Sequence, residues 1–141
     1  GEAGLTVRRG ALEVVCPTVV DGRWMPHEWQ RVESRWVKFD ALDHGDDHFV
    51  PGPTDVAWDV AGVIVEWELA GAVRRRFLER YVALSGDDVL PRIRPWIVAY
   101  AAFRLGYASM AAQAMRGRSE QARLLAAAGR YRHALGTLGD P

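Results

Sequence analysis

The sequence predicts an α+β chain, with a small antiparallel β region near the N-terminus and about four helices after residue 53. Two contrasts carry that reading. Residues 1–70 are rich in β-branched and aromatic residues broken by turn signals, whereas residues 71–139 are alanine, leucine and arginine at helical spacing. The 141 residues, 49% hydrophobic and 26% charged, have the composition of one packed domain, which excludes disordered and fibrous classes.

Within the β and loop segment, 12–53, Leu12 to Val20 reads as a strand, followed by Asp21. His27–Val32 and Trp36–Phe39 read as a hairpin around Glu33-Ser34-Arg35, with Val37 and Phe39 on one face and Asp40 at the end. Ala41 to Pro53 carries glycine, proline and aspartate without period and reads as a loop. The helical segment, 54–139, opens with Thr54 as a candidate N-cap, Asp55 in favour with the helix N-terminus, and an apolar helix to about Leu69. After Gly71, the residues Val73, Phe77, Tyr81 and Leu84 recur at spacings of 4, 4 and 3, which predicts a second helix with its arginines outside, ended by Ser85-Gly86. Pro91 and Pro95 suit the first turn of a third helix that runs to about Met115, where Gly117 stops it. Ser119 can cap a last helix whose Leu124, Ala128, Tyr131, Leu135 and Leu138 form an antiparallel packing seam.

The single cysteine, Cys16, excludes an internal disulfide and a Cys-rich zinc site, and a reducing, cytoplasmic setting is expected. The apolar stretch Trp96–Met115 carries Arg104 and Gln113 among many alanines, which favours a buried helix over a membrane span. Net charge is zero, yet residues 1–70 hold 6 basic against 13 acidic residues and residues 71–141 hold 12 against 5. Acidic loops facing basic helices account for this dipole. Arg74-Arg75-Arg76 reads as a solvated helix face without interleaved aromatics, so nucleic acid is not an expected partner. The opening glycine, in place of an initiator methionine, gives the expectation of a piece cut from a longer protein.

Chemistry-bearing residues crowd between Asp21 and Asp59. In FDALDHGDDHF, the residues Asp40, Asp43, His44, Asp46, Asp47 and His48 fall within nine positions. Carboxylates suit a hard cation such as magnesium, and imidazole widens the choice to zinc, manganese or iron. His44 and His48 would share a face only on a helix, and Gly45 between aspartates disfavours one. The competing reading is a solvated acidic loop whose aspartates cap turns.

The order strand, Asp21, short loop, strand pair, Asp40, irregular acidic loop and buried helix with Asp59 resembles the mainly helical C-terminal lobe of the protein-kinase-like small-molecule phosphotransferases, the family of aminoglycoside phosphotransferases and choline or ethanolamine kinases. The resemblance covers roughly Leu12 to Leu69. It implies Asp21 as the catalytic-loop aspartate that accepts the substrate hydroxyl proton, and Asp40 as the aspartate that holds magnesium on the nucleotide phosphates. PGPTDVAWDVAGVIVEW is similar to the helix that follows in that family, with Asp59, Glu66 and Trp67 at the matching spacing and Asp59 bracing the catalytic loop. Pro26 stands where the family has its second magnesium ligand, which leaves His27 or Glu28 for that role, and Val20 precedes Asp21 where a histidine or arginine is usual nearby. No glycine-rich phosphate loop is present, and the only lysine is Lys38, so the N-terminal nucleotide-binding lobe is absent and ATP would be bound with a lobe not seen here.

Tryptophan adds a substrate hint, since aromatic faces attract the protonated or quaternary amines that this family binds. Trp24 and Trp29 flank the Asp21 loop as a candidate substrate wall, whereas Trp58 and Trp67 on the apolar helix read as core. His133 reads as a surface or packing residue. Three functions follow as expectations. The first is the C-terminal part of an ATP- and magnesium-dependent O-phosphotransferase acting on a small hydroxyl- or amine-bearing substrate, inactive without its N-terminal lobe. The second is a metal-dependent hydrolase using Asp43, His44, Asp47 and His48 on Zn2+ or Mn2+, with a metal-bound water as nucleophile. The third is a non-catalytic helical interaction module.

Overall fold

The computed structural model describes residues 12–39 and 53–139, and among these residues the chain forms four helices and two small antiparallel sheets. The first sheet is minimal: β1 (Pro17–Thr18) pairs with β4 (Thr54–Asp55), Pro17 opposite Asp55 and Thr18 opposite Thr54. The longer strand expected over Leu12–Val20 does not form, for a local reason. The N–H groups of Val15 and Cys16 donate to the Asp55 carboxylate at 2.7 and 2.9 Å, so a side chain takes the bonds that a sheet ladder would need.

The second sheet is the expected hairpin, one to two residues tighter than the sequence suggests: β2 (Trp29–Val32) and β3 (Arg35–Lys38). Trp29 faces Lys38 and Val32 faces Arg35, which leaves Glu33-Ser34 as a two-residue connection. Glu33 sits at φ 54°, a left-handed conformation that favours glycine. A single 3-10 turn, Pro26–Glu28, leads into β2, and the Phe39 N–H closes the far end on the Glu28 carbonyl at 2.9 Å.

Helix α1 (Ala57–Glu66) buries nearly its whole surface through Ala57, Trp58, Val60, Ala61, Gly62, Ile64 and Val65. It begins after Thr54-Asp55, which pair with β1 and do not enter the helix. Its C-terminus closes by two bonds, Glu68 N–H to the Val65 carbonyl at 3.3 Å and Leu69 N–H to the Ile64 carbonyl at 2.9 Å, with Glu68 in the left-handed position at φ 50°. Helix α2 (Gly71–Ser85) ends on Gly86, whose φ of 73° lets its N–H reach the Val82 carbonyl.

The buried stripe of α2 is not the expected one. Val73 and Leu84 are 62% and 71% exposed, whereas Leu78 is buried and Arg74, Phe77, Tyr81 and Val82 are partly covered. The stripe has turned by about one position: Arg74 is partly covered where Val73 was expected to be. Helix α3 (Ile93–Ala114) carries Pro95 in its first turn, and α4 (Glu120–Gly139) follows Gly117, itself at φ 77°.

The described residues fall into two compact units, one ending at Ile97 and one beginning at Val98. The core of the first is Val20, the α1 residues, Leu78, Val89, Ile93, Trp96 and Ile97, with the Trp58 and Trp96 rings edge to face at 6.5 Å. In the second, Tyr100, Ala101, Ala108 and Ala112 of α3 and Ala128, Tyr131 and Leu135 of α4 are buried, and Arg104 Nε donates to the Tyr131 hydroxyl at 3.2 Å. Among the described residues, no helix is long and apolar enough to cross a membrane.

Candidate functional site

Val20, which is buried, pins the chain just before Asp21, and Gly22 at φ 75° turns it sharply. That turn aims two successive backbone N–H groups at one acceptor. Asp21 N–H donates to Asp59 Oδ2 at 2.9 Å and Gly22 N–H to Asp59 Oδ1 at 2.8 Å. Asp59 projects from the first turn of α1, so the most buried helix of its unit holds the loop through both carboxylate oxygens. Burial pushes the Asp59 carboxyl above the ordinary aspartate range, with a smaller push from the Asp21 charge, against the pull of the Gly22 and Asp21 N–H groups and of Trp24.

The Asp21 side chain meets Lys38. Its two carboxylate oxygens each lie 2.5 Å from Lys38 Nζ, which also donates to the Arg23 carbonyl at 2.6 Å and approaches Glu28 Oε2 at 3.7 Å. Arg23 Nε in turn lies 2.6 Å from Glu28 Oε1. Two acids and two bases thus form a neutral group under the loop, with the Lys38 and Glu28 side chains only 7% and 3% exposed. Burial of these side chains is tolerated because each charge is compensated by an opposite one beside it.

The hairpin therefore presents its polar side inward. Val37 and Phe39 share a face, as their spacing requires, but that face is exposed, and Lys38 between them is covered.

A chain of tryptophans closes the same loop. Trp24 stacks on Trp29 at 5.3 Å, Trp29 meets Trp67 edge to face at 6.5 Å, and Trp67 meets Trp36 in the same way at 6.3 Å. Trp67 Nε1–H donates to the Trp24 carbonyl at 3.0 Å, and Lys38 Nζ lies 5.4 Å from the centre of the Trp24 ring. Trp24 and Trp29, proposed from sequence as a substrate wall, are thus engaged with each other and with Lys38. Trp67, read from the sequence as core, is instead 36% exposed and links Trp29 to Trp36, whereas Trp58 is buried as expected.

Of the sequence-assigned residues, the structure brings Asp21, Glu28 and Asp59 together, with Trp24 and Trp29 beside them. His27 is exposed on the 3-10 turn that buries Glu28. Asp40 and the cluster Asp43, His44, Asp46, Asp47 and His48 lie outside the described residues. Among the described residues, no group of three His, Cys, Asp or Glu side chains is placed to hold a metal ion. His133 is exposed on α4.

A second ionic centre went unassigned in the sequence. Asp55 is fully buried and accepts from Val15, Cys16 and Ala57 N–H groups and from Arg92 Nε at 3.2 Å. Arg92 also reaches both oxygens of Asp87 at 2.9 and 2.8 Å and the Asp88 carbonyl at 2.7 Å. Burial raises the Asp55 carboxyl, but its three backbone donors and the Arg92 charge outweigh burial and hold it below the ordinary range. Every bond of Asp55 is spent inside the protein, so its part is to tie the segment before β1 to the start of α3.

Chemically, the loop offers a carboxylate fixed in position, with an ammonium beside it and aromatic rings around it. Such a group can accept a proton from a bound hydroxyl. Comparison with protein-family models, with curated proteins and with solved structures gives no match for the chain.

Proposed function

We propose that the chain is the C-terminal part of an ATP- and magnesium-dependent small-molecule O-phosphotransferase, in which Asp21 is the general base. One observation carries the reading: Asp59 accepts the N–H groups of both Asp21 and Gly22, so the loop bearing Asp21 is fixed from a buried helix. Phosphoryl transfer asks a protein mainly for positioning and electrostatics, and a backbone clamp on the residue that receives the proton supplies positioning. The hairpin that follows Asp21 runs back past it, so that Lys38, two residues before Asp40 in the sequence, lies on the Asp21 carboxylate.

Asp40, with His27, is the donor pair for magnesium on this reading. Glu28 does not fit that role, since it is buried and faces Arg23 and Lys38. Bound magnesium would neutralise charge on the nucleotide phosphates. The substrate is a small hydroxyl-bearing molecule, with an amine as a further handle. The chain alone, which has no glycine-rich phosphate loop, is expected to hold magnesium–nucleotide only weakly through its own aspartates and not to turn it over.

Calorimetric titration with a non-hydrolysable ATP analogue tests the reading. Binding is expected only with magnesium and is expected to vanish in Asp40→Asn. Binding without magnesium, or binding unchanged in that variant, overturns it. One observation favours a second reading, the non-catalytic module: both Asp21 oxygens already lie on Lys38, as in a purely structural ion pair. Silence toward every metal and nucleotide supports that reading, and zinc binding confined to His44 and His48 supports the hydrolase.

A further inference from the structure

Lys38 is the only lysine in a chain that has 18 lysines and arginines together, and it is placed where no solvent-exposed role can explain it. Oxygen atoms lie against its ammonium. Asp21 Oδ1 and Oδ2 lie at 2.5 Å, the Arg23 carbonyl at 2.6 Å and Glu28 Oε2 at 3.7 Å. Two carboxylates and a carbonyl are oxygen donors of the kind that hard cations such as magnesium or manganese select, with the Trp24 ring 5.4 Å away and the Arg23 guanidinium on the Glu28 carboxylate completing the surround. A compact tetrahedral ammonium suits such a seat, whereas the planar fork of a guanidinium does not.

Glu28 adds an independent sign that the seat is built for a cation. Its side chain is 3% exposed, with Arg23 Nε 2.6 Å from Oε1 and Lys38 Nζ 3.7 Å from Oε2. Burying a carboxylate is costly unless a positive charge compensates it. Lys38 is the cation shared between Glu28 and Asp21, and it reaches them from the adjacent strand.

We propose that Lys38 is a tethered cation that permanently fills an oxygen-lined cation seat made by Asp21, the Arg23 carbonyl and Glu28. It orients the Asp21 carboxylate without a metal and keeps divalent cations out of this position. Lys38 is therefore a positioning residue acting through Asp21. Its meaning for catalysis rests on the proposal that Asp21 is the base, but the seat itself does not depend on that proposal.

Two experiments without nucleotide test it, so failure here is distinct from failure of the phosphotransferase reading. Manganese binding, followed by water-proton relaxation, is compared in the parent chain and in Lys38→Met, Lys38→Arg and Lys38→Met combined with Glu28→Gln. Lys38→Met is expected to gain one manganese ion bound roughly tenfold or more tighter than any further ion in the parent. Lys38→Arg, which keeps the charge, gains none, and Glu28→Gln abolishes the gain. Equal binding in the parent and Lys38→Met, or a gain that survives Glu28→Gln, overturns the proposal.

The second experiment uses the unaltered chain and is decisive even where a variant fails to fold. An amine-acylating ester reports directly on Lys38, read by peptide mass spectrometry. Because the amine is 7% exposed, its rate is expected to be roughly tenfold or more below that of a free lysine amide and to stay unchanged in excess manganese. A rate that rises with manganese shows the ammonium displaced, and a rate equal to free lysine shows no seat; either result overturns the proposal.

Discussion

Asp59 accepts the backbone N–H of Asp21 at 2.9 Å while its other oxygen takes the N–H of Gly22 at 2.8 Å, a two-pronged hold of a loop by a helix. Charge-assisted bonds of this kind are worth more than neutral ones. Asp59→Asn retains one acceptor oxygen and Asp59→Ala none, so losses of about 1.5 and about 3 kcal/mol are expected in chemical denaturation. Amide exchange at Asp21 and Gly22 should quicken in both variants before exchange in α1 does. Unchanged exchange at those two amides would show that the loop is held by something else.

Acid stability carries two opposed signatures. Asp55 titrates below the ordinary aspartate value of about 3.9, so its contribution is present above that value and is lost as pH falls through the lowered one. Asp59, raised by burial, behaves in the opposite sense. Its contribution is complete below about 3.9 and is lost as pH rises through the raised value. Denaturation curves collected across this range should show Asp55→Asn flattening the acid-side loss and Asp59→Asn removing the decline above it. The reverse assignment would contradict the packing of both carboxylates.

Glu33 in the hairpin connection is the site for a stabilising change. A non-glycine residue at φ 54° carries a steric cost that glycine does not. Glu33→Gly should raise stability by about 1 kcal/mol, and Glu33→Ala should not. A loss of melting temperature in Glu33→Gly would show that the turn takes another conformation.

The phase of α2 is open to a direct comparison. Leu78→Ala should cost about 2–3 kcal/mol, because Leu78 is buried, whereas Val73→Ala and Leu84→Ala should each stay within about 0.5 kcal/mol of the parent. Equal losses at Val73 and Leu78 would restore the stripe that the sequence suggests.

The α2 stripe shows how sequence legibility fails. Phe77 and Tyr81 belong to both possible stripes, and hydropathy counts Arg74 as polar although its stem can cover a core. The hairpin shows the same limit on a strand. Alternation correctly separates Val37 and Phe39 from Lys38, but hydropathy favours the apolar pair for the inside, and the partner of Lys38 lies 17 residues back at Asp21. Asp55 was legible only as a helix-start residue, since its partners Val15, Cys16 and Arg92 lie 40, 39 and 37 positions away. The four helices, by contrast, were legible because their stops are local: Gly86 and Gly117 take left-handed conformations, and Pro95 stands in a first turn. For the site, the apolar run after Asp59 marked a buried helix, whereas the loop it holds at Asp21 was expected at the end of a longer strand that does not form. Lys38 could have been found as the one lysine in an arginine-rich chain.

On the proposed phosphotransferase reading, Asp21 is a positioned base beside a magnesium–nucleotide site that includes Asp40. The most direct test is NMR of the chain, with Asp21, Gly22 and Asp40 amides followed during titration with magnesium and a non-hydrolysable ATP analogue. Shifts at Asp21 and Asp40 together, saturating at one nucleotide and absent without magnesium, are the predicted result. Shifts confined to His44 and His48 on adding zinc, with Asp21 unmoved by nucleotide, would contradict it.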